Sequence, residues 1–161
     1  MTPSNVTLIE TFYRAFDEGD GETMAACYAP DVQFSDPVFP DLRGARAGDM
    51  WKMLTDVPGD LRIELREHEA DESTGSAHWL AHYTFSETGR PVVNDIRASF
   101  RFEDGLMVEH RDEFDFHAWA RQALGPVGLL LGWTPIVRSA VRKKAAAKLE
   151  EYEEAPRPGA A

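Results

Sequence analysis

The first third of the chain spaces its apolar residues as amphipathic helices do. In the first predicted helix, the residues that share one face at i, i+3, i+4 and i+7 are Ile9, Phe12, Tyr13 and Phe16. Ser4 is a suitable N-cap for this helix and Gly19 a suitable end. A second helix is predicted over residues 22–29, ended by Pro30. A third is indicated by the helical spacing of Ala47, Met50, Trp51 and Leu54.

A period of two replaces the helical spacing in the middle of the chain. A short strand is predicted over residues 32–36, and alternating apolar and polar residues predict strands over 61–66, 78–85, 94–102 and 108–116. Glu103-Asp104-Gly105 is typical of a hairpin between the last two. Long strands joined by short turns predict an antiparallel meander with one buried face. Helices followed by such a sheet indicate an α+β fold.

Three segments divide the chain in this prediction. Residues 1–119 form the α+β domain, residues 120–154 a helical extension that packs on it, and residues 155–161 a disordered tail. In the extension, the glycine-rich apolar stretch 125–133 precedes a last helix that starts at Thr134-Pro135. Its basic residues precede its acidic ones, which opposes the helix dipole, so its end is expected to fray. We expect this extension to cover the pocket mouth or the sheet. A protein-docking surface is the alternative, which we favour less.

Composition and charge narrow the class of protein. The chain has 161 residues and a net charge of −11, which fits one domain and argues against nucleic acid or an anionic membrane as partner. The one cysteine, Cys27, excludes an intrachain disulfide and a cysteine-rich zinc site. No apolar run approaches the roughly 20 residues of a membrane-spanning helix. Residues 1–12 lack the features of a signal peptide, so we expect a cytoplasmic protein.

The parity of the strands predicts polar side chains inside the apolar core. Residues two apart on a strand face the same way. Apolar neighbours of the same parity therefore place four polar residues inside: Asp36, Asn94, His110 and Asp112. Trp79 and Tyr83 belong to the same interior. Burial in apolar surroundings raises the pKa of an aspartate, which suits general acid or base work near neutral pH.

Each of these residues also has a purely structural interpretation. Asp36 precedes Pro37 and can accept backbone N–H groups in a turn. His110 can be a hydrogen-bonded core histidine, and Asp112 can pair with it or with Arg111 in a structural network. Packing or turn geometry is the alternative for the remaining three: Asn94, Trp79 and Tyr83.

Metal and cofactor motifs are scarce in the sequence. A metal bound by His110 and Asp112 is geometrically possible, but the chain has no tight ligand cluster such as H-E-x-x-H. It also has no glycine-rich phosphate loop, no G-x-S-x-G elbow and no C-x-x-C pair. We therefore predict no metal site and no cofactor.

Three segments carry a resemblance to a known superfamily. Residues 18–38 end in Phe34-Ser35-Asp36-Pro37-Val38, residues 88–94 contain Gly89-Arg90-Pro91, and residues 104–115 end in His110-Arg111-Asp112-Glu113-Phe114-Asp115. Over about residues 5–119 the chain resembles the nuclear transport factor 2-like superfamily, and within it the SnoaL-like and ketosteroid isomerase-like proteins. The resemblance implies a cone-shaped, curved antiparallel sheet wrapped by N-terminal helices around a deep pocket. The C-terminal helix is then an addition, and a homodimer through the outer face of the sheet is expected.

The resemblance to steroid isomerases implies roles for single residues. Asp36 looks like their general base, which stands in an Asp-Pro-Val segment. Their helix-one tyrosine, an oxyanion donor, falls at Phe12, with Tyr13 one residue away and expected to point elsewhere. Their second, protonated aspartate falls near Ala98.

Two other groups in the superfamily direct attention to the last strand. Asp112 matches an aspartate of limonene epoxide hydrolases, whose arginine and second aspartate fall near Trp79 and Ala81. SnoaL-like polyketide cyclases are similar in having an acid/base aspartate in the pocket and few other polar groups.

These observations lead to one functional hypothesis and one alternative. The hypothesis is a cofactor-independent enzyme for a small, largely apolar ligand, with aldol-type cyclisation, isomerisation or hydration as its reaction. Asp112, assisted by His110, exchanges a proton with the substrate. Asp36 is a second base or a positioning group, and Asn94 orients ligand or water. The remaining pocket residues are Trp79, Tyr83, Phe12, Phe34 and Phe114. The alternative is a non-catalytic small-molecule-binding or dimerisation module with the same pocket.

Overall fold

A computed structural model describes residues 4–57 and 59–155 of the chain. The helices within these residues are α1 (Asn5–Asp17), α2 (Gly21–Ala26), α3 (Ala45–Asp56), α4 (Phe116–Leu124), α5 (Pro126–Leu131) and α6 (Pro135–Glu154). The strands are β1 (Tyr28–Ser35), β2 (Leu42–Arg43), β3 (Arg62–Ala70), β4 (Thr74–Phe85), β5 (Arg90–Glu103) and β6 (Leu106–Glu113). This α+β architecture with an extra C-terminal helix confirms the predicted fold class. None of these helices, within the residues described, is long and apolar enough to cross a membrane.

The strands form one curved, open sheet in the order β2-β1-β6-β5-β4-β3. Neighbours from β3 to β6 run antiparallel in long ladders, as the alternation predicts. β1 instead lies parallel to β6, with Phe34 beside His110, so the sheet is mixed rather than wholly antiparallel. The register shifts in three of the pairings, and such irregularities bend a sheet. α1 packs against β3, and α3 packs against β1.

The first helix forms as its apolar spacing predicts. The Ser4 hydroxyl accepts the backbone N–H of Thr7 at 3.2 Å and caps the helix. The buried side of α1 carries Ile9, Phe12, Tyr13, Ala15 and Phe16. These side chains join the inward-facing residues of the sheet in the main core. Each large apolar side chain buried in this way contributes about 1.5–3 kcal/mol.

The second helix is shorter than its prediction. It ends at Ala26 rather than at residue 29, because Tyr28 already belongs to β1 and pairs with Met107 of β6. Pro30 therefore lies inside a strand and does not end the helix. Pairing with a strand about 80 residues away overrides the local helical signal.

The last strand also ends earlier than its alternation suggests. β6 stops at Glu113, because the Asp115 side chain accepts the N–H of Ala118 at 3.0 Å and starts α4. Phe116 is buried as the first residue of that helix, not as a strand residue. The alternating pattern of the strand thus extends to Phe116 by coincidence, because this buried residue belongs to the helix that begins after the Asp115 cap.

The C-terminal helices cover a second, smaller core cluster. Its members are Val92, Phe116, Trp119, Ala120 and Ala123. α6 places Val137 and Val141 against this cluster and Leu149 in the main core. The end of α6 is docked, since the Tyr152 hydroxyl donates to Oδ2 of Asp56 at 2.6 Å. The predicted fraying of this helix is therefore wrong. Residues 156–161 of the predicted tail lie outside the described residues.

Candidate functional site

Four buried side chains from β1, α3 and β6 form one hydrogen-bonded chain. His110 Nε2 lies 2.8 Å from Oδ1 of Asp112, and His110 Nδ1 lies 2.7 Å from the hydroxyl of Tyr28. The indole N–H of Trp51 donates to the same hydroxyl at 2.7 Å. The predicted burial of His110 and Asp112 is confirmed. Tyr28 and Trp51 are partners that the sequence analysis misses.

One placement of protons uses every donor in this chain. The indole N–H of Trp51 can only donate, so the Tyr28 oxygen accepts from it. The Tyr28 O–H then donates to Nδ1 of His110, and the proton on Nε2 donates to Asp112. In this assignment His110 is neutral and Asp112 is an ionised carboxylate. Hydrogen bonding of this kind offsets part of the cost of burying a charge.

Aromatic rings from α1, α3, β1 and β5 surround the imidazole of His110. Their centroids lie between 4.5 and 6.1 Å from that of the imidazole, and the rings belong to Phe100, Phe34, Phe12, Tyr28 and Trp51. Phe12 and Phe34, predicted to contact ligand, pack directly on His110. The enclosure keeps the His110–Asp112 pair in an apolar environment, where electrostatic interactions are strong.

Asp36 combines the two roles that its sequence position leaves open. It follows β1 directly, and its Oδ1 accepts the backbone N–H groups of Val38 at 2.7 Å and Phe39 at 2.5 Å. These bonds hold the turn and favour the charged form. Burial opposes them and, together with the negative charge of Asp112, raises the pKa of Asp36 to about 7. A carboxyl group with this pKa can take up and release a proton near neutral pH.

Two buried donors in the main core lack a hydrogen-bond partner within the residues described. They are the hydroxyl of Tyr13 and the indole N–H of Trp79, whose rings lie 5.3 Å apart. Burial, reinforced by the charge of Asp112, raises the pKa of Tyr13 well above its ordinary value, so its O–H stays protonated. The expectation that Tyr13 points elsewhere is wrong. Its position one residue after Phe12 keeps it on the same broad helical face.

The three remaining predicted residues have no hydrogen bond to His110 or Asp112 within the residues described. Asn94 is buried on the inward side of β5, and no hydrogen bond involves its side chain within the residues described. Tyr83 is half-buried, and its hydroxyl accepts the indole N–H of Trp119 at 2.7 Å. Tyr83 and Phe114 pack against both core clusters and lie between them.

A cleft of about 280 Å³ lies between the β1–β2 connection and α6. Its apolar lining includes Val38 and Phe39, whose N–H groups hold Asp36. Arg142 of α6 lines the same cleft, and its Nε donates to the carbonyl of Pro37 at 2.8 Å. The positive charge of Arg142 opposes the rise in the pKa of Asp36. The cleft therefore borders the turn that carries the titratable aspartate.

Metal-ligating and nucleophilic groups are few in this region. No group of three or more His, Cys, Asp or Glu side chains within residues 4–57 and 59–155 is arranged to hold a metal ion. Burial raises the pKa of the Cys27 thiol to about 11, so it stays protonated at neutral pH.

Comparison with solved structures places the fold among known proteins. A hypothetical protein with a ketosteroid isomerase-like fold from Catenulispora acidiphila, solved with trimethylamine, is 15% identical over 84% of this chain and 100% of its own, with a TM-score of 0.65. An LEH-like epoxide hydrolase from M. tuberculosis is 19% identical over 79% of this chain and 95% of its own, with a TM-score of 0.64. A candidate polyketide cyclase from Xanthomonas campestris pv. campestris is 23% identical over 73% and 95%, with a TM-score of 0.62. At these identities the likeness shows the fold alone.

Sequence comparison is more specific about family. No curated protein matches the chain. The family model of the SnoaL-like domain matches residues 9–110, which run from Ile9 within α1 to His110 within β6 and include the Tyr28–His110 contact. The chain therefore belongs to the SnoaL-like domain family.

Proposed function

We propose that this protein is a cofactor-independent acid/base catalyst for a small, largely apolar carbonyl compound. The observation that carries the proposal is the pair of unpartnered buried donors, the O–H of Tyr13 and the N–H of Trp79, whose rings lie 5.3 Å apart. A buried donor without a partner costs about 1–3 kcal/mol. A substrate oxygen that accepts from both groups removes that cost, so the donors favour binding of an oxygen atom in the core.

Asp36 supplies the proton transfer in this proposal. Its carboxylate removes a proton from the carbon beside the carbonyl, and the C–H electron pair moves into a C=C bond while the oxygen becomes negative. Tyr13 and Trp79 stabilise that oxygen by donating to it. Return of the proton at another carbon gives an isomer, and attack of the carbanion on a second carbonyl closes a ring. A pKa of about 7 suits Asp36 to both directions of transfer.

Asp112 and His110 then serve as a fixed electrostatic pair. His110 is surrounded by aromatic rings, Asp112 is buried, and Oδ1 of Asp112 is occupied by His110. The charge of Asp112 raises the pKa of Asp36 and of Tyr13. This assignment exchanges the roles expected from the sequence, which gave proton transfer to Asp112 and support to Asp36.

The entrance in this proposal lies between the two core clusters. Tyr83 and Phe114 are half-buried there, and Val38 packs against both clusters beside Asp36. Asn94, buried without a hydrogen bond to its side chain in the described chain, is free to orient the ligand or a water molecule. An apolar lining with few polar groups fits a small, largely apolar compound.

Deuterium exchange into β-tetralone tests the proposed chemistry. This ketone has acidic protons beside its carbonyl, and proton NMR in D₂O follows their loss. We expect the protein to accelerate exchange above the buffer rate and Asp36→Asn to abolish the acceleration. Asp31→Asn is the matched control, because Asp31 lies exposed on β1, the strand that Asp36 follows. Equal rates for wild type and Asp36→Asn would remove Asp36 from the chemistry.

A non-catalytic binding module is the second candidate. It is favoured by the fact that Oδ1 of Asp36 is occupied by two backbone N–H groups, as in a structural turn. This candidate predicts that β-tetralone raises the melting temperature without any exchange above the buffer rate. Thermal unfolding and NMR on the same samples distinguish the two.

The homodimer through the outer face of the sheet remains a prediction. That face carries polar contacts such as His78 to Asp95 at 2.8 Å and Arg101 to Glu109 at 2.6 Å. Sedimentation velocity of the wild type and of Leu80→Glu tests it, since Leu80 lies half-buried on β4 between His78 and His82.

A further inference from the structure

The part of the C-terminal extension that runs through α5 to the start of α6 exposes an unusual amount of apolar surface. Six large apolar side chains within ten residues are between 50% and 80% exposed: Val127, Leu129, Leu130, Leu131, Trp133 and Ile136. We call residues 127–136 the apolar tip. Such a concentration of exposed apolar residues marks an interaction site in a soluble domain.

The tip is exposed because glycines make the contact with the rest of the domain. Gly128 and Gly132 of the tip are buried against α4, and a Cβ atom at Gly128 would overlap the carbonyl of Ala120. The glycine side of α5 is therefore pressed on α4, and its leucines point away. Ile136 lies off the stripe by which α6 packs, which includes Val137 and Val141. The exposure thus follows from how α5 and α6 are docked.

The segment that contains the tip carries a charge opposite to that of the whole chain. Residues 116–149 contain six Lys or Arg and no Asp or Glu, although the net charge of the chain is −11. Lys144 and Lys148 pair with Glu87. Arg121 and Lys143 are exposed and have no acidic partner in the described chain, and Arg138 lies over the Phe116 ring at 5.1 Å. The net charge of the whole chain, which by itself argues against an anionic membrane as partner, conceals this basic region.

The polar groups of the tip are satisfied internally. The Trp133 indole N–H donates to the carbonyl of Leu130 at 3.0 Å, and the Thr134 hydroxyl donates to that of Leu131 at 2.6 Å. The backbone N–H of Gly132 donates to the carbonyl of Gly128 at 2.9 Å. These bonds satisfy carbonyls at the end of α5 that would otherwise need water. An apolar medium can surround the end of this helix at low cost.

We propose that the apolar tip docks the protein on the surface of an anionic lipid bilayer. Leu129, Leu130 and Leu131 are consecutive and all exposed, so they cover a wide arc of α5 at about 100° per residue. The fluid apolar interior of a bilayer can contact the whole of this arc, whereas a rigid protein partner would contact only one side of it. The neighbouring basic residues match anionic head groups and would repel each other if the tips of two copies met.

Vesicle binding tests this proposal, which does not depend on the proposed catalysis. The probe is a phosphatidylcholine vesicle containing about one third phosphatidylglycerol, compared with phosphatidylcholine alone. Trp133 is 69% exposed, while the other three tryptophans are buried, so a blue shift of the emission reports on the tip. We expect the blue shift and co-flotation with anionic vesicles, about tenfold weaker on neutral ones and weaker again in high salt.

Two variants distinguish binding through the apolar tip from nonspecific hydrophobic adsorption. Leu130→Ser combined with Leu131→Ser and Ile136→Ser should weaken vesicle binding by about tenfold or more. Leu54→Ser combined with Val93→Ser is the control, because these exposed apolar residues lie elsewhere and should leave binding unchanged. Equal binding to both vesicle types, or full binding by the triple tip variant, would overturn the proposal. A dimer in light scattering that the triple variant dissociates, with no vesicle binding, would overturn it as well.

Discussion

The carboxylate of Asp112 lies 2.8 Å from Nε2 of His110, and both side chains are at most 3% exposed. Residues two apart on β6 thus form a pair that is sealed by α1, α3 and β1. The apolar core accommodates this polar pair because the Tyr28 hydroxyl bonds to His110 and the Trp51 indole N–H in turn donates to Tyr28. Together with burial, the negative charge of Asp112 raises the pKa of Asp36 and the pKa of Tyr13.

Removal of the imidazole should be strongly destabilising. His110→Ala leaves the Asp112 carboxylate buried without its donor and opens a cavity among aromatic rings, so we expect a loss of about 3–5 kcal/mol in the free energy of unfolding. Urea denaturation followed by circular dichroism measures it. Arg111→Ala, on the exposed side of the same strand, is the control and should change stability by less than about 1 kcal/mol. A comparable effect of the two variants would contradict a buried charge pair.

The titration of Asp36 should make stability fall as pH rises. Its pKa is about 7 in the folded chain and near the ordinary value of 3.8 when unfolded, so the folded chain holds a proton that the unfolded chain releases between those values. The contribution of Asp36 is therefore fully present below about pH 4 and is lost on rising through about pH 7. Asp36→Asn should flatten this slope and stabilise the fold at pH 8 by about 1–3 kcal/mol.

Urea denaturation at several pH values between 4 and 8 measures this effect. Asp31→Asn should leave the wild-type slope intact, because Asp31 is exposed. An identical slope in wild type and Asp36→Asn would show that Asp36 titrates as an ordinary carboxyl group.

Two tyrosines that face the same core should respond oppositely to loss of the hydroxyl. Tyr13→Phe removes a buried O–H without a partner, so we expect unchanged or higher stability, by up to about 1 kcal/mol, together with loss of the exchange activity on β-tetralone. Tyr28→Phe leaves both the Trp51 N–H and His110 unpaired and should cost about 2 kcal/mol or more. Thermal unfolding of both variants measures these changes in stability. A destabilised Tyr13→Phe would mean that its hydroxyl already has a partner.

Gly128 should not accept a side chain. An added Cβ would overlap the backbone of Ala120, so Gly128→Ala must push α5 away from α4, at a cost of about 2 kcal/mol or more. Gly59→Ala is the matched control, since nothing lies within 4 Å of an added Cβ there. The control should be neutral or slightly stabilising. Differential scanning calorimetry of the two variants tests how firmly α5 is held.

Local patterns explain which parts of the site the sequence predicts. Strand parity needs only neighbouring residues, so it places Asn94, His110 and Asp112 inside correctly. The helical spacing that includes Phe12 also places Tyr13 on the buried face. The expectation that Tyr13 points away came from aligning it with a family position rather than from its own pattern.

Tertiary pairing explains what the sequence does not predict. Tyr28 is assigned to a helix because its neighbours have helical spacing, and nothing local shows that β1 will lie beside β6. The Trp51 hydrogen bond likewise needs the position of α3 over β1. The firm docking of α6 depends on Asp56 in another helix, which a helix-dipole argument does not include.

The parallel pairing of β1 with β6 has a consequence for the order of folding. Tyr28 and His110 are 82 positions apart, and the hairpins between β3 and β6 can form from nearer neighbours first. Closing so large a loop is slow because its entropy is lost before the contact is gained. The hydrogen-bonded chain around His110 should therefore be among the last native contacts to appear, and β1 to be the strand whose amides gain protection latest in a refolding experiment.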